Sequence, residues 1–337
     1  MFRATVLCGA VVLLGVIGCQ ENNEVVEVQQ PRLTLTVSNL PRLGPGEGHY
    51  QLWAKFVIFD RSDAPQHDSA AVSLGEFNVS SDGATVVGTD GNPVHLAIPA
   101  NQNPQLIDVV IITVQSADSA ASKSADEEPG PAFLAGRVQG DASTGTADLD
   151  ASHVDALGSA FSSTSGAFAI TAPTSPSDSS SGVWFVDKQG SAVSAGLRNL
   201  PPIPDEWVYE GWVRLDVPAQ GGGTVQYLST GRFLRGDSAD FDGAGPGKGP
   251  GVGYNFPGQD FINPIPPGLP ARPDLRFCSF MVTIEPVPDN SPQPFPLRLF
   301  ATPIPQAPLP QGQTVLMNNV SSSSFPHARL KIVRSGY

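Results

Sequence analysis

The sequence predicts an all-β protein made of two tandem β-sandwich (immunoglobulin-like) domains. Gly 35 and Pro 33 together supply about one residue in five, against roughly 12% in average proteins, which indicates frequent turns. Charged residues make up only 15% of the 337 residues, which disfavours helical bundles and coiled coils. Short runs of β-branched and aromatic residues alternate with Gly, Pro and Asp turns, and that pattern is typical of a sandwich.

The amino-terminal segment predicts secretion and lipidation. One positive charge at Arg3 precedes an apolar run over residues 4–17, which is shorter than the roughly 20 residues of a membrane-spanning helix. We therefore expect a signal peptide over residues 1–18. Val16-Ile17-Gly18-Cys19 resembles a bacterial lipobox, which implies cleavage before Cys19 and acylation of its thiol. An ordinary signal peptide with a coincidental cysteine is the alternative.

The polar, acidic residues that follow Cys19 predict a lipidated tether over residues 19–31. Several acyl chains would anchor the protein stably to a membrane. Gln20 differs from the Asp of the inner-membrane retention signal of enteric bacteria, which favours the outer membrane. Cys8 would leave with the signal peptide, so that only Cys278 would remain as a free thiol, without an intrachain disulfide. We expect Cys278 to be a small buried hydrophobe rather than a nucleophile.

The rest of the chain contains an internal repeat, which predicts a first domain at 32–150 and a second at 160–337. Asn-Leu-Pro precedes Tyr-x-x-Trp at 39–53 and again at 199–212, and a Gly-x-Phe follows at 75–77 and 231–233. Each copy ends in two apolar runs separated by a Pro-rich turn, at 109–136 and 281–301. This shared order of landmarks indicates a tandem duplication.

Individual strands follow from local patterns. Residues 33–37 alternate with period two, residues 50–59 have the apolar character of a central strand, and residues 81–84 predict a hairpin turn. Residues 167–170 predict a strand that forms a hairpin with residues 182–186. Residues 150–161 predict one short helix.

The combined motifs resemble the C-terminal, extracytoplasmic domain of anti-sigma-K factors. The resemblance rests on Asn-Leu-Pro, Tyr-x-x-Trp, Gly-x-Phe and the closing Glu-Pro turn, and it covers residues 33–300. Members that hold a sigma factor carry a helical cytoplasmic domain and a transmembrane helix before this domain. We expect this chain to lack that part, so the resemblance implies only the fold and an extracytoplasmic location.

The two Tyr-x-x-Trp motifs supply the first binding candidates, Tyr50, Trp53, Tyr209 and Trp212. Residues three apart in a strand point to opposite faces, so each pair places one ring inward and the other towards the opposite face. An aromatic binding platform is the functional interpretation. Core packing with a capping hydrogen bond is the alternative, and we favour it because aromatic residues dominate cores.

An acidic segment supplies a metal candidate within a Gly- and Pro-rich stretch that reaches Tyr254. Asp237, Asp240 and Asp242 are closely spaced oxygen ligands of the kind that Ca²⁺ takes. Lys248 occupies the position where an EF-hand would have its bidentate Glu, so a solvated loop is the simpler interpretation.

These observations predict a non-catalytic, lipid-anchored cell-envelope protein with a structural or protein-interaction role. It would face the periplasm or the cell surface, contact the membrane through its lipid, bind an envelope protein and need no cofactor. The net charge of −13 argues against nucleic acid. The first alternative is an extracytoplasmic sensor arm of a sigma/anti-sigma circuit. The second is a carbohydrate-binding or hydrolase module, although no Gly-x-Ser-x-Gly elbow is present.

Overall fold

The computed structural model describes residues 31–334, apart from 45, 60–64, 68–69, 82, 84, 116–128, 173–176, 179, 218–223, 242–255, 263–264, 270 and 290. For residues 59, 65–67 and 217 only the backbone is described. Cys19, the signal peptide and Asp242 lie outside these residues. The protein is nearly all-β with several antiparallel sheets, which confirms the predicted fold class.

The strands of the first half follow the predicted pattern of short segments between turns. In chain order they are β1 (Arg32–Ser38), β2 (His49–Phe59), β3 (Pro65–His67), β4 (Val72–Val79), β5 (Val86–Val87), β6 (Ile107–Gln115), β7 (Ala132–Arg137), β8 (Gln139–Gly140) and β9 (Thr144–Leu149). A 3₁₀ turn at Pro104–Leu106 precedes β6.

The remaining strands are β10 (Gly166–Ile170), β11 (Gly182–Trp184), β12 (Val186–Gln189), β13 (Ala192–Ala195), β14 (Trp207–Val217), β15 (Thr224–Phe233), β16 (Gly258–Asp260), β17 (Ser279–Pro286), β18 (Arg298–Ala301), β19 (Thr314–Asn319) and β20 (His327–Val333). A 3₁₀ turn spans Leu275–Phe277 and the helix α1 spans Ser321–Ser324. Within the described ranges, no helix has the length and apolar character that crossing a membrane requires.

Two sheets enclose the core of the first module. One has the order β1-β20-β9-β8, and the other has the order β5-β4-β2-β6-β7, with β3 added beside β2. Leu35 and Leu330 of the first sheet belong to the same buried cluster as Leu52, Val110 and Ile112 of the second sheet. The predicted central strand therefore is central, because β2 pairs with β4 on one side and with β6 on the other.

The second module is built on one eight-stranded sheet with the order β15-β14-β17-β18-β19-β10-β11-β16. Its two edge strands, β15 and β16, contact each other, so the sheet curls back on itself around its core. The predicted hairpin is present, since β10 pairs with β11 in antiparallel register. β12 and β13 form a separate two-stranded ribbon.

The last strand, β20, lies in the sheet of the first module. It pairs along its whole length with β1, from Arg32 opposite Val333 to Ser38 opposite His327, and its other edge pairs with β9. The range 160–337 predicted for the second domain thus includes a strand that completes the first. Ala328, Leu330 and Ile332 face the core of the first module. Their burial there accounts for the return of the chain to the first module after the second.

The predicted helix at 150–161 is wrong, because the structure has turns there. The Leu157 N–H donates to the Ala151 carbonyl and the Gly158 N–H donates to the His153 carbonyl. The first of these bonds is not helical in spacing, and Gly158 has φ +69°, a left-handed conformation that ends a right-handed helix. The turns place Ala151, Leu157 and Phe161 in the core.

The two modules contact each other through aromatic rings. Phe133 of β7 packs edge-on against Trp207 of β14, with ring centroids 6.4 Å apart, and against Phe295 at 6.2 Å. The Trp207 indole N–H also donates to the Ala132 carbonyl at 3.0 Å. We call this contact between β7, Trp207 and Phe295 the module junction.

Candidate functional site

The four aromatic residues of the repeated motif are buried, with 0–3% of each residue exposed. Tyr50, Trp53, Tyr209 and Trp212 therefore form no exposed binding platform, and core packing is the role that the structure gives them. Tyr50 packs against Phe77 and Phe133, and Tyr209 stacks on Phe233. A strand that is covered on both faces explains why both members of each pair are buried.

The polar ends of these rings make the same hydrogen bonds in both modules. The Tyr50 hydroxyl donates to the Pro41 carbonyl at 3.0 Å, and the Tyr209 hydroxyl donates to the Pro201 carbonyl at 2.7 Å. The Trp53 indole donates to Thr113 Oγ1 at 2.9 Å, and the Trp212 indole donates to Thr283 Oγ1 at 2.9 Å. Burial raises the pKa of both tyrosine hydroxyls well above the usual range, so both remain protonated donors.

The polar residues around the two tryptophans differ between the modules. In the first module Gln51 follows Tyr50, and its side-chain N–H donates to Ser73 Oγ at 2.8 Å. In the second module Glu210 takes the corresponding place, and its Oε1 accepts from Ser229 Oγ at 2.5 Å. At the end of the neighbouring strand, Gln115 of β6 corresponds to Glu285 of β17. Two neutral amides in the first module are thus two carboxyl groups in the second.

These carboxyl groups belong to a cluster that we call the carboxyl cluster, formed by Glu210, Arg232, Glu285 and Asp289. Arg232 Nε lies 2.9 Å from Glu210 Oε2, and its terminal nitrogen lies 2.9 Å from Asp289 Oδ2. The side chains of Glu210 and Asp289 are 2% and 4% exposed, respectively, and Glu285 is fully buried. Two buried carboxyl groups therefore bind one guanidinium, whose own side chain is 31% exposed, and the buried Glu285 lies beside them.

Glu285 receives donors from three directions. The Phe295 backbone N–H lies 2.9 Å from Oε1 and 3.0 Å from Oε2, and the Trp212 indole lies 3.2 Å from Oε1. Thr283 also donates to Oε1. Burial outweighs these donors and, together with the charges of Asp289 and Glu210, raises the pKa of Glu285 to about 8. Burial also raises the pKa values of Glu210 and Asp289, while Arg232 acts in the opposite direction on both.

Sequence reasoning missed the carboxyl cluster. Its signal was available, because Glu210 and Glu285 are acidic residues within apolar strands at positions where the first copy has Gln. What the chain did not reveal is that Arg232 and Asp289 reach the same point, since that depends on strand pairing.

The structure describes only part of the acidic segment. Its two described aspartates, Asp237 and Asp240, contact different residues. Both carboxylate oxygens of Asp237 bind the guanidinium of Arg235 at 2.8 Å, which lowers the pKa of Asp237. Asp240 instead points inward, where its Oδ2 accepts from the Gly258 N–H at 3.2 Å. Among the residues of known position, no group of three His, Cys, Asp or Glu side chains could hold a metal ion.

Cys278 lies just before β17, after the 3₁₀ turn at Leu275–Phe277, rather than inside a strand. The residue is buried, and its Sγ–H donates to the Asp274 carbonyl at 3.7 Å. Burial, aided by the charges of Asp274 and Asp216, raises the pKa of the thiol to about 12. This environment suits the predicted packing role and not a nucleophile.

Several grooves of the described structure remain as candidate binding surfaces, and one of about 620 Å³ is lined by Arg198, Asn199, Arg235 and Asp237 among others. Two others lie beside the first module and at the module junction. The larger, about 690 Å³, lies where the first module meets the turns at 151–162, and Thr36, Asp150, Ser159, Ser321 and Arg329 are among its lining residues. The smaller, about 320 Å³, lies at the module junction between Pro41 and Leu43 on one side and Val287, Pro288 and Phe295 on the other.

Comparison of the chain with protein-family models, with curated proteins and with solved structures gives no match.

Proposed function

We propose that this protein is a non-catalytic, lipid-anchored component of the bacterial cell envelope that presents a rigid pair of β modules to a protein partner. The observation that carries the proposal is the use of the repeated aromatic motif. Its four rings lie inside the protein and hydrogen-bond to its own backbone and side chains, so the repeat serves folding and leaves partner recognition to the surface.

The module junction supports the idea of a rigid pair. Phe133, Trp207 and Phe295 pack as three aromatic rings across it, and the Trp207–Ala132 hydrogen bond fixes their register. A partner would therefore meet both modules in one fixed arrangement, which lowers the entropy lost on binding.

The membrane part of the proposal depends on Cys19 and is tested directly. Cells that express the protein are labelled with a clickable fatty-acid analogue, with Cys19→Ala as the variant and Cys278→Ala as the matched control. Label on the wild type and on Cys278→Ala, together with its loss in Cys19→Ala, supports the anchor. Equal label on all three proteins contradicts it.

The partner is tested by cross-linking in intact cells, followed by purification and identification of what is linked. Recovery of one envelope protein, and loss of that link on substitution of residues that line one of these grooves, would support the interaction role. A turnover of envelope polymers by the purified protein would contradict the non-catalytic proposal.

A second candidate, a sensor arm in a sigma-regulating circuit, is favoured by the carboxyl cluster, which provides a buried, charge-dependent element beside the module junction. Such an arm needs a partner that reaches the cytoplasm, and an anti-sigma or sigma-linked protein among the cross-linked species would support it. The carbohydrate-binding alternative loses the exposed rings on which it depended.

A further inference from the structure

We propose that the carboxyl cluster is a pH-responsive device that sets how firmly the loop segments 287–289 and 291–296 hold the two modules together. This inference does not depend on the lipid anchor or on the identity of the partner.

The carboxyl cluster has an imbalance of charge. Arg232 is shared between Glu210 and Asp289, and Glu285 lies beside them without a cation of its own in the described structure. A buried carboxylate without a counter-charge is unfavourable, so that a carboxyl group in this position retains a proton. The charged groups that face Glu285 are Glu210 from β14 and Asp289 from the loop, and Arg232 of β15 stands between these two.

The carboxyl cluster also directly contacts the loop at the module junction. Phe295 donates its backbone N–H to both oxygens of Glu285, and its ring packs 6.2 Å from Phe133 and 5.7 Å from Trp207. Asp289 sits in the same loop, and its Oδ1 accepts from the Ser291 N–H at 2.8 Å. The carboxyl cluster therefore holds the loop at both ends, and the loop presses an aromatic ring onto the first module.

The first module has different residues at the positions of the carboxyl cluster. Gln51 and Gln115 stand where the second module has Glu210 and Glu285, and Glu76 stands where it has Arg232. Neutral amides make the corresponding hydrogen bonds without titrating. The first module thus has non-titrating residues at the positions of Glu210 and Glu285, which provides a built-in comparison for these two positions. Its own titratable pair there is Glu76 and His49, 4.0 Å apart.

The sign of the pH dependence follows from the raised pKa values. An unfolded chain releases the Glu285 proton near pH 4.5, whereas the folded protein retains it up to about pH 8. Between these values the folded state binds more protons than the unfolded state, so folding and junction packing weaken as the pH rises. Mild acidity tightens the junction and mild alkalinity loosens it. For one proton, the equilibrium constant between the folded and unfolded states changes by as much as about tenfold per pH unit.

The test measures urea unfolding of the mature protein from pH 5 to pH 9, and hydrogen-exchange protection of residues 291–296 normalised to unstructured rates. The variant is Glu285→Gln, which installs the residue of the first module, and the control is Glu206→Gln, a nearby exposed glutamate. Wild type and Glu206→Gln should lose at least tenfold in protection between pH 6 and pH 8.5, and Glu285→Gln should lose less than threefold.

Equal pH dependence in wild type and Glu285→Gln would overturn the proposal. So would a pH effect on global unfolding that leaves the protection of residues 291–296 unchanged, because the cluster would then stabilise the second module without acting on the junction. Should Glu285→Gln fail to fold, Asp289→Asn is measured in the same way. Its pH dependence should be smaller than that of the wild type but not absent, because burial still raises the pKa of Glu285 once the charge of Asp289 is gone. The reverse variant Gln115→Glu should add a new alkaline sensitivity to the first module.

Discussion

The hydroxyl of Tyr209 donates a 2.7 Å hydrogen bond to the backbone carbonyl of Pro201, and this bond ties β14 of the second module to the Asn-Leu-Pro segment before it. Tyr50 and Pro41 repeat the same bond in the first module. A carbonyl that follows a proline-interrupted strand has no ladder partner, so the tyrosine supplies the donor that the sheet cannot.

Replacing Tyr209 with Phe should therefore destabilise the protein by about 1–2 kcal/mol, because a buried carbonyl loses its donor. Tyr50→Phe should cost a similar amount. Urea denaturation followed by tryptophan fluorescence measures both, and Tyr227→Phe, at a half-buried position of β15, is the matched control. A loss no larger than that of the control would show that the hydroxyls contribute nothing.

The asparagines that open both repeats should tolerate Gly better than Ala. Asn39 and Asn199 have φ +56° and +57°, a region that most L-residues avoid. Their side chains also donate to backbone carbonyls, Asn39 to Ser323 at 3.0 Å and Asn199 to Ser163 at 3.1 Å. Asn→Gly removes only the side-chain bond, whereas Asn→Ala adds a backbone penalty of about 1–2 kcal/mol.

Thermal unfolding of the four single variants, two at each asparagine, checks this order. If Ala is as well tolerated as Gly at both positions, the left-handed backbone does not limit the choice of residue there.

Gly211, between Tyr209 and Trp212, should not accept a side chain. A Cβ at this position would lie 2.1 Å from Thr230 Oγ1 and 2.7 Å from the Phe185 ring. Gly211→Ala should therefore destabilise the protein by about 1–3 kcal/mol through overpacking. Gly44→Ala is the control, because its Cβ would meet only the flexible end of Glu47. Calorimetry that finds the two variants equally stable would contradict the packing described here.

Cys278 should be inert in the folded protein. With a pKa of about 12 and a buried position, its thiol should react with iodoacetamide at pH 8 at least about 100-fold more slowly than a free cysteine. Mass spectrometry follows the reaction, and the protein in 6–8 M urea, in about the range that unfolds most domains, provides the fully reactive control. Fast labelling under native conditions would require an exposed thiolate.

Leu330 tests the return of the chain to the first module. It is fully buried among residues of that module although it lies in β20. Leu330→Ala should cost about 2–5 kcal/mol and should lower the unfolding midpoint of the first module. Exposed Lys331, its neighbour, should be replaceable by Ala with little effect. A loss confined to the second module, detected by hydrogen exchange, would contradict this assignment.

Local sequence patterns were sufficient to predict those parts of the fold that depend on residues close together in the chain. The alternation at 33–37 predicted β1, and the apolar run at 167–170 predicted the hairpin of β10 and β11. The repeat predicted corresponding strands, and the structure places corresponding register shifts near Trp53 and Trp212. The all-β class follows from such signals because each of them reflects one strand and one turn.

The pairing of strands that are far apart in the chain could not be predicted from the sequence. Nothing in residues 327–333 indicates that their partner is β1, about 290 residues earlier, because alternation fixes a strand's buried face and not its neighbour. The carboxyl cluster was missed for the same reason, since Glu210, Arg232 and Asp289 meet only after three segments have assembled. The helix predicted at 150–161 is absent because the backbone there closes turns, with Leu157 N–H bonded to the Ala151 carbonyl and Gly158 in a left-handed conformation.

The pairing of β1 with β20 also determines the order in which the protein is completed. The first sheet of the first module receives β20 between β1 and β9, so β1 and β9 each keep an open edge until residue 333 has been made. The second module, by contrast, has all of its strands once residue 319 is present. The half that is synthesised first is thus finished last, and its unpaired strands need protection from other chains until β20 has been made.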